Sequence, residues 1–160
     1  MRCSGIFLIF GSVTGLQYQA AWSLGYPESK NISANLLFST GNLEMMVEHA
    51  KNGGVSLYPF GWTVSDPEKA DPKTGLCKSP IPRFANSTRC KTLDPNYEAN
   101  WKKTFALIEP YIKNGTIIGI FLSDEQMWAG ATLDQLGKVT DMIKKDCPHC
   151  ITYINEAQVS

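Results

Sequence analysis

The sequence has no surplus charge and no long apolar run, and each absence closes off a class of partner. Fifteen basic and fifteen acidic residues leave no net charge, so nothing draws the chain electrostatically toward nucleic acid or an anionic membrane. No apolar run approaches the about 20 residues that a membrane-spanning helix needs. No glycine-rich phosphate loop follows the first strand pattern, which weighs against a nucleotide site. Histidine is scarce: His49 and His149 are the two present, neither has a serine or cysteine nucleophile placed with it, and both read as structural. A four-ligand zinc spacing is also missing. No metal or cofactor is therefore expected.

What is present points to an oxidising compartment. Residues 1–15 read as a signal peptide, with Arg2 as the positive start and an apolar segment from Ile6 through Val13. Val13-Thr14-Gly15 supplies small residues for cleavage, and Ala20-Ala21 a later alternative. The same segment, interrupted by Gly11, also fits a first strand of a longer chain. Three N-x-S/T sequons begin at Asn31, Asn86 and Asn114. Asn114-Gly115 would equally suit a helix C-terminus without a glycan. If Cys3 leaves with the leader, four of the five cysteines remain, an even number suited to disulfides. The expectation is a secreted glycoprotein.

After an irregular leading segment, residues 16–32, one fold pattern occupies 33–160. Residues 34–39 read as a first buried strand. Asn42 then caps a helix whose Leu43, Met46, Val47 and Ala50 share one face, and Asn52-Gly53-Gly54 stops it. Residues 55–60 give a second strand. Residues 61–94, with prolines at 67, 72, 80 and 82, read as one long loop, stiffened if Cys77 pairs with Cys90. Asp94-Pro95 opens a second helix striped by Tyr97, Trp101, Phe105, Ile108 and Ile112, which Pro110 should kink or end near Glu109. A third strand is almost unbroken in its apolar character and ends in Asp124-Glu125. Thr132 to Gln135 forms a capping box for a third helix, with Leu136, Val139, Thr140 and Ile143 on its buried stripe. A fourth strand, 151–154, ends in Asn155-Glu156. Strands alternating with helices predict an α/β fold with a parallel sheet and right-handed crossovers. Either an open doubly wound sheet or part of a (β/α)8 barrel satisfies the pattern.

In a parallel sheet the carboxyl ends of the strands share one rim, and chemistry gathers there. Phe60 and Trp62 follow the second strand, Asp124, Glu125 and Trp128 the third, and Asn155 and Glu156 the fourth. Carboxylates among aromatics are what a glycosidase cleft requires, one to protonate the leaving oxygen and one to attack or activate water. From 33 to 157 the chain resembles the (β/α)8-barrel glycoside hydrolases. Many of them carry a buried strand ending in an acidic pair similar to this FLSDE. In the large clan with catalytic glutamates on strands four and seven, strand four ends in Asn-Glu. The resemblance implies Glu156 as acid/base and Asn155 as a sugar-hydroxyl ligand, while Glu125, beside Asp124, is the candidate second carboxylate if the pair acts across adjacent strands. Trp62 and Trp128 would be sugar platforms. Two departures stand out: Ala157 replaces the clan's usual proline, and no seventh strand follows before Ser160. The expectation is thus the N-terminal half of a partial TIM (β/α)8 barrel, acting on a carbohydrate.

Two other functions fit the same residues. One is a non-catalytic secreted protein that binds carbohydrate through Trp62 and Trp128. The other is a thiol-disulfide oxidoreductase, since Cys147-Pro148-His149-Cys150 matches an oxidising thioredoxin-type motif. In that fold the motif opens a helix after a strand. Here a helix precedes it and a strand follows, which favours a local Cys147–Cys150 bridge or pairing with chain not present here. A half-barrel would also leave its first and fourth strands as open edges. Self-association of 16–160 expressed alone is expected.

Overall fold

The computed structural model describes residues 35–38, 40–77, 88 and 90–155. The leader, the leading segment, Asn31, Asn86 and Glu156 lie outside these described residues. In chain order the elements are β1 (Leu36–Leu37), α1 (Leu43–Lys51), β2 (Val55–Pro59), β3 (Thr63–Ser65), a 3-10 turn (Pro67–Lys69) and β4 (Lys91–Leu93). They continue with α2 (Tyr97–Lys113), β5 (Ile117–Asp124), α3 (Leu133–Asp146) and β6 (Ile151–Asn155). The fold is mixed α/β, with a parallel four-stranded sheet in the order β1-β2-β5-β6. Leu36 pairs with Val55, and Pro59 with Phe121, in parallel register. Among the described residues no helix is long and apolar enough to cross a membrane.

Two compact units make up the chain: Met1–Pro59 with Leu107–Phe121, and Phe60–Ala106 with Leu122–Ser160. In the first, Asn42 caps α1 by accepting from the Met45 amide at 3.1 Å. Gly53 takes a left-handed φ of 80° just past its end, a conformation that costs glycine nothing. Met46 and His49 are the buried residues of α1. Phe38 meets Phe121 edge-on with ring centroids 5.4 Å apart. On β5 the residues from Gly119 to Leu122 are all buried, and since neighbours on a strand face opposite ways, neither face meets water.

The second unit corrects the sequence reading of 61–94 as one loop. β3 and β4 pair antiparallel within it, Thr63 opposite Leu93 and Ser65 opposite Lys91. The Asp66 amide donates to the Cys90 carbonyl at 2.8 Å, and Cys77 and Cys90 are bridged with Cα atoms 5.1 Å apart. Strands of three residues are too short to show an alternation in sequence. Of the two outcomes expected at Pro110, a kink or an end, the helix does not end there: α2 runs on to Lys113, just before Asn114-Gly115. Pro110 is exposed, so the carbonyl it leaves unpaired one turn earlier can be hydrated. α3 forms as its sequence dictates. Thr132 accepts from the Gln135 amide, Gln135 returns the bond, and Val139 and Ile143 are buried.

Candidate functional site

The tips of β5 and β6 lie side by side. Asn155 Nδ2 donates to Asp124 Oδ1 at 2.6 Å, and the Glu125 amide donates to the Asn155 carbonyl at 2.7 Å. A charge-assisted bond of that length fixes both side chains. Two residues that sequence singled out separately, Asp124 and Asn155, are thus joined 31 positions apart. Glu125 is exposed, while Asp124, Asn155 and Trp128 are half-buried. Glu156 follows Asn155 in the chain, outside the described residues.

Backbone conformation at this tip is unusual. Ser123 and Glu125 have positive φ values of 79° and 51°, and they are the non-glycine residues of that kind among those described. Such conformations cost about 1–3 kcal/mol each and persist only where the surroundings over-determine them. The surroundings here do so through hydrogen bonds. Gln126 Nε2 donates to the Asp124 carbonyl at 2.7 Å and to Ser123 Oγ at 3.3 Å. Its Oε1 accepts from Thr63 Oγ1 at 2.5 Å, and the Lys91 amide donates to the Ala129 carbonyl at 2.7 Å. The β3–β4 ribbon therefore braces the turn that carries the acids.

Tyr153 belongs to the site and escaped the sequence reading. It stands two residues before Asn155 on β6, hence on the same face of the strand, a spacing that would have identified it. Burial pushes its phenol above the ordinary range, and the negative charge of Asp124 adds to the shift. Both effects keep the hydroxyl protonated as a donor. Gln126 was likewise missed, because a glutamine after an acidic pair carries no pattern of its own.

Trp62 requires a correction. It was expected to offer a face to a sugar, but it is fully buried, with its indole Nε1 donating to the Leu122 carbonyl at 2.7 Å. A ring without exposed face cannot stack on a ligand, so Trp62 is a core anchor beneath β5. Phe60 is buried too, against Trp101 at a centroid distance of 5.4 Å. No protein-family model, curated protein or solved structure matches this chain. What the site can do must be read from its own chemistry: a carboxylate held by an amide, a second and exposed carboxylate, a protonated phenol and a half-buried indole.

The remaining candidates lie elsewhere. Asn114 is exposed just after α2, and its Oδ1 accepts from the Thr116 amide at 3.0 Å, so the sequon's asparagine is accessible. Cys147 and Cys150 form a disulfide between α3 and β6, at the amino end of β6 and so at the other end of that strand from Asn155. His49 is buried and His149 exposed.

Proposed function

We propose that the tips of β5 and β6 form a carbohydrate site of the glycoside-hydrolase kind, within the first four strands of a (β/α)8-type barrel in a secreted protein. The barrel reading rests on strand order. The sheet runs β1-β2-β5-β6 without the reversal that defines the crevice of a doubly wound sheet. The single observation that carries the sugar reading is the 2.6 Å bond between Asn155 and Asp124. It brings two strand tips rich in acid and amide groups to one place at the carboxyl rim, where Tyr153 adds a hydroxyl donor and the half-buried Trp128 follows in the turn after β5. Vicinal sugar hydroxyls are bound by this mixture of planar acceptors and donors, with ring stacking on an indole.

For hydrolysis, Glu156 is the acid/base candidate and Glu125 the second carboxylate, with Asp124 held by Asn155 in a supporting place. Secretion is consistent with the paired cysteines. Glu156→Gln is expected to abolish cleavage of a glycan that the wild-type chain hydrolyses while binding survives. Undiminished hydrolysis by that variant removes Glu156 from the mechanism.

One observation favours a second reading, carbohydrate binding without turnover. Glu125 is exposed, and a second carboxylate left open to bulk solvent lacks the water-excluded setting that strengthens electrostatic interactions in a closed active site. Glycan binding that depends on Trp128, with no product formed by wild type, would select that reading.

A further inference from the structure

The loop between α3 and β6 has a second chemistry that the rim does not use. Cys147, His149 and Cys150 bring their ligand atoms within 4.8 Å of one another, and Cys147 Sγ lies 3.7 Å from His149 Nε2. In a tetrahedral zinc site, with Zn–S about 2.3 Å and Zn–N about 2.0–2.1 Å, sulfur and nitrogen stand roughly 3.5 Å apart. The sequence shows two cysteines with a histidine between them, one ligand short of any closed site. The turn decides that the imidazole comes back beside Cys147. It is held by the Cys147 amide donating to Ile143 at 2.8 Å and the Cys150 amide donating to Cys147 at 3.1 Å.

We infer that Cys147, His149 and Cys150, once their disulfide is reduced, form a three-ligand site for a thiophilic d10 cation, zinc being the one whose geometry fits. The disulfide and the metal are then alternative states of one loop. A dithiol reductant delivers two electrons to the Cys147–Cys150 bond and is itself oxidised to a disulfide. The two thiols produced release their protons to solvent as the cation binds, and His149 contributes a ring nitrogen. The fourth position is left to water, as in open zinc sites.

Three features favour a cation here. Cys147 is the C-cap of α3, so the negative end of the helix dipole faces the site. That end repels a free thiolate and attracts a metal, the opposite of the helix N-terminus that activates a thioredoxin-type cysteine. Both cysteines are buried, at 1% and 0% exposure, and a buried thiolate pair needs a compensating charge. His149 and Pro148 are exposed and leave an approach from solvent. Lys144, whose ammonium donates to the carbonyls of Pro148 and Cys150, ties the loop to α3 without occupying the ligand atoms.

The test uses the full chain, reduced with a phosphine under anaerobic conditions and titrated with cobalt(II), then with zinc. One equivalent of cobalt should bind with thiolate-to-metal absorption and tetrahedral d–d bands, and zinc should displace it. The oxidised chain should take up none. Cys147→Ser and Cys150→Ser should each lose the charge-transfer band. His149→Ala, an exposed position that leaves the fold alone, should weaken binding by at least the about 10-fold that loss of an outer-shell partner costs. No cobalt uptake by the reduced wild-type chain overturns the inference, and so does uptake of equal affinity and spectrum in His149→Ala.

Discussion

The backbone of Gly54 passes so close to His49 that a Cβ there would collide with the imidazole. Both residues are buried, so the ring can give way only against a packed interior. Gly54→Ala is therefore expected to cost about 1–3 kcal/mol, as overpacking of a filled interior does, measured by urea unfolding at neutral pH. An unchanged midpoint would show that the ring swings aside. Burial also holds the His49 imidazole below its ordinary range, against a smaller opposing effect from a hydrogen bond to the Asn35 backbone. The unfolded chain then binds a proton below about pH 6.5 that the folded chain refuses. Stability is level above that pH and falls as pH drops through the window down to the depressed folded value. Between about pH 7.5 and about pH 5.5 the wild type should lose more stability than His49→Gln does.

Among the elements, the β3–β4 ribbon connects the disulfide to the site. Cys77 and Cys90, 13 residues apart, close a loop within the connection between β3 and β4, with Cys90 directly before β4. Removing both sulfurs with Cys77→Ala and Cys90→Ala should cost about 3 kcal/mol on the loop-entropy account. The loss should be local as well as global. Amide exchange should quicken in β3, β4 and the turn from Glu125 to Gly130, while α3, held by its own capping box and buried stripe, stays protected. Equal quickening across α3 would show that the ribbon is not a separate brace.

For the whole molecule, β1 and β6 stand at the two ends of the sheet order, and an edge strand presents backbone groups that another chain can pair. β6 has five residues against two for β1 and carries Ile151, 43% exposed. Concentration-dependent self-association is expected in sedimentation velocity, and Ile151→Lys should reduce it. A monomer at every concentration, unchanged by the lysine, would mean that the edge is covered.

Much of this architecture follows from sequence alone because its causes are local. The capping box at Thr132, the glycine stop after α1, the apolar run of β5 and the placing of acids just beyond it depend on residues within a few positions of one another. The disulfide partners were also readable, being near neighbours in the chain. The site was half visible: Asp124, Glu125, Asn155 and Trp128 declared themselves by type and position after a strand. Tertiary structure alone decided that Asn155 holds Asp124, that Tyr153 and Gln126 join them, and that Trp62 is core where Trp128 is partly open. An indole carries no mark of its burial, since burial depends on what the rest of the chain packs against it. The short ribbon, the strained backbone at Ser123 and Glu125, and the return of His149 to Cys147 were likewise fixed by contacts between distant or oppositely directed segments. At β5, local pattern made the strand and its acids, and the neighbouring strand and the ribbon set what those acids face.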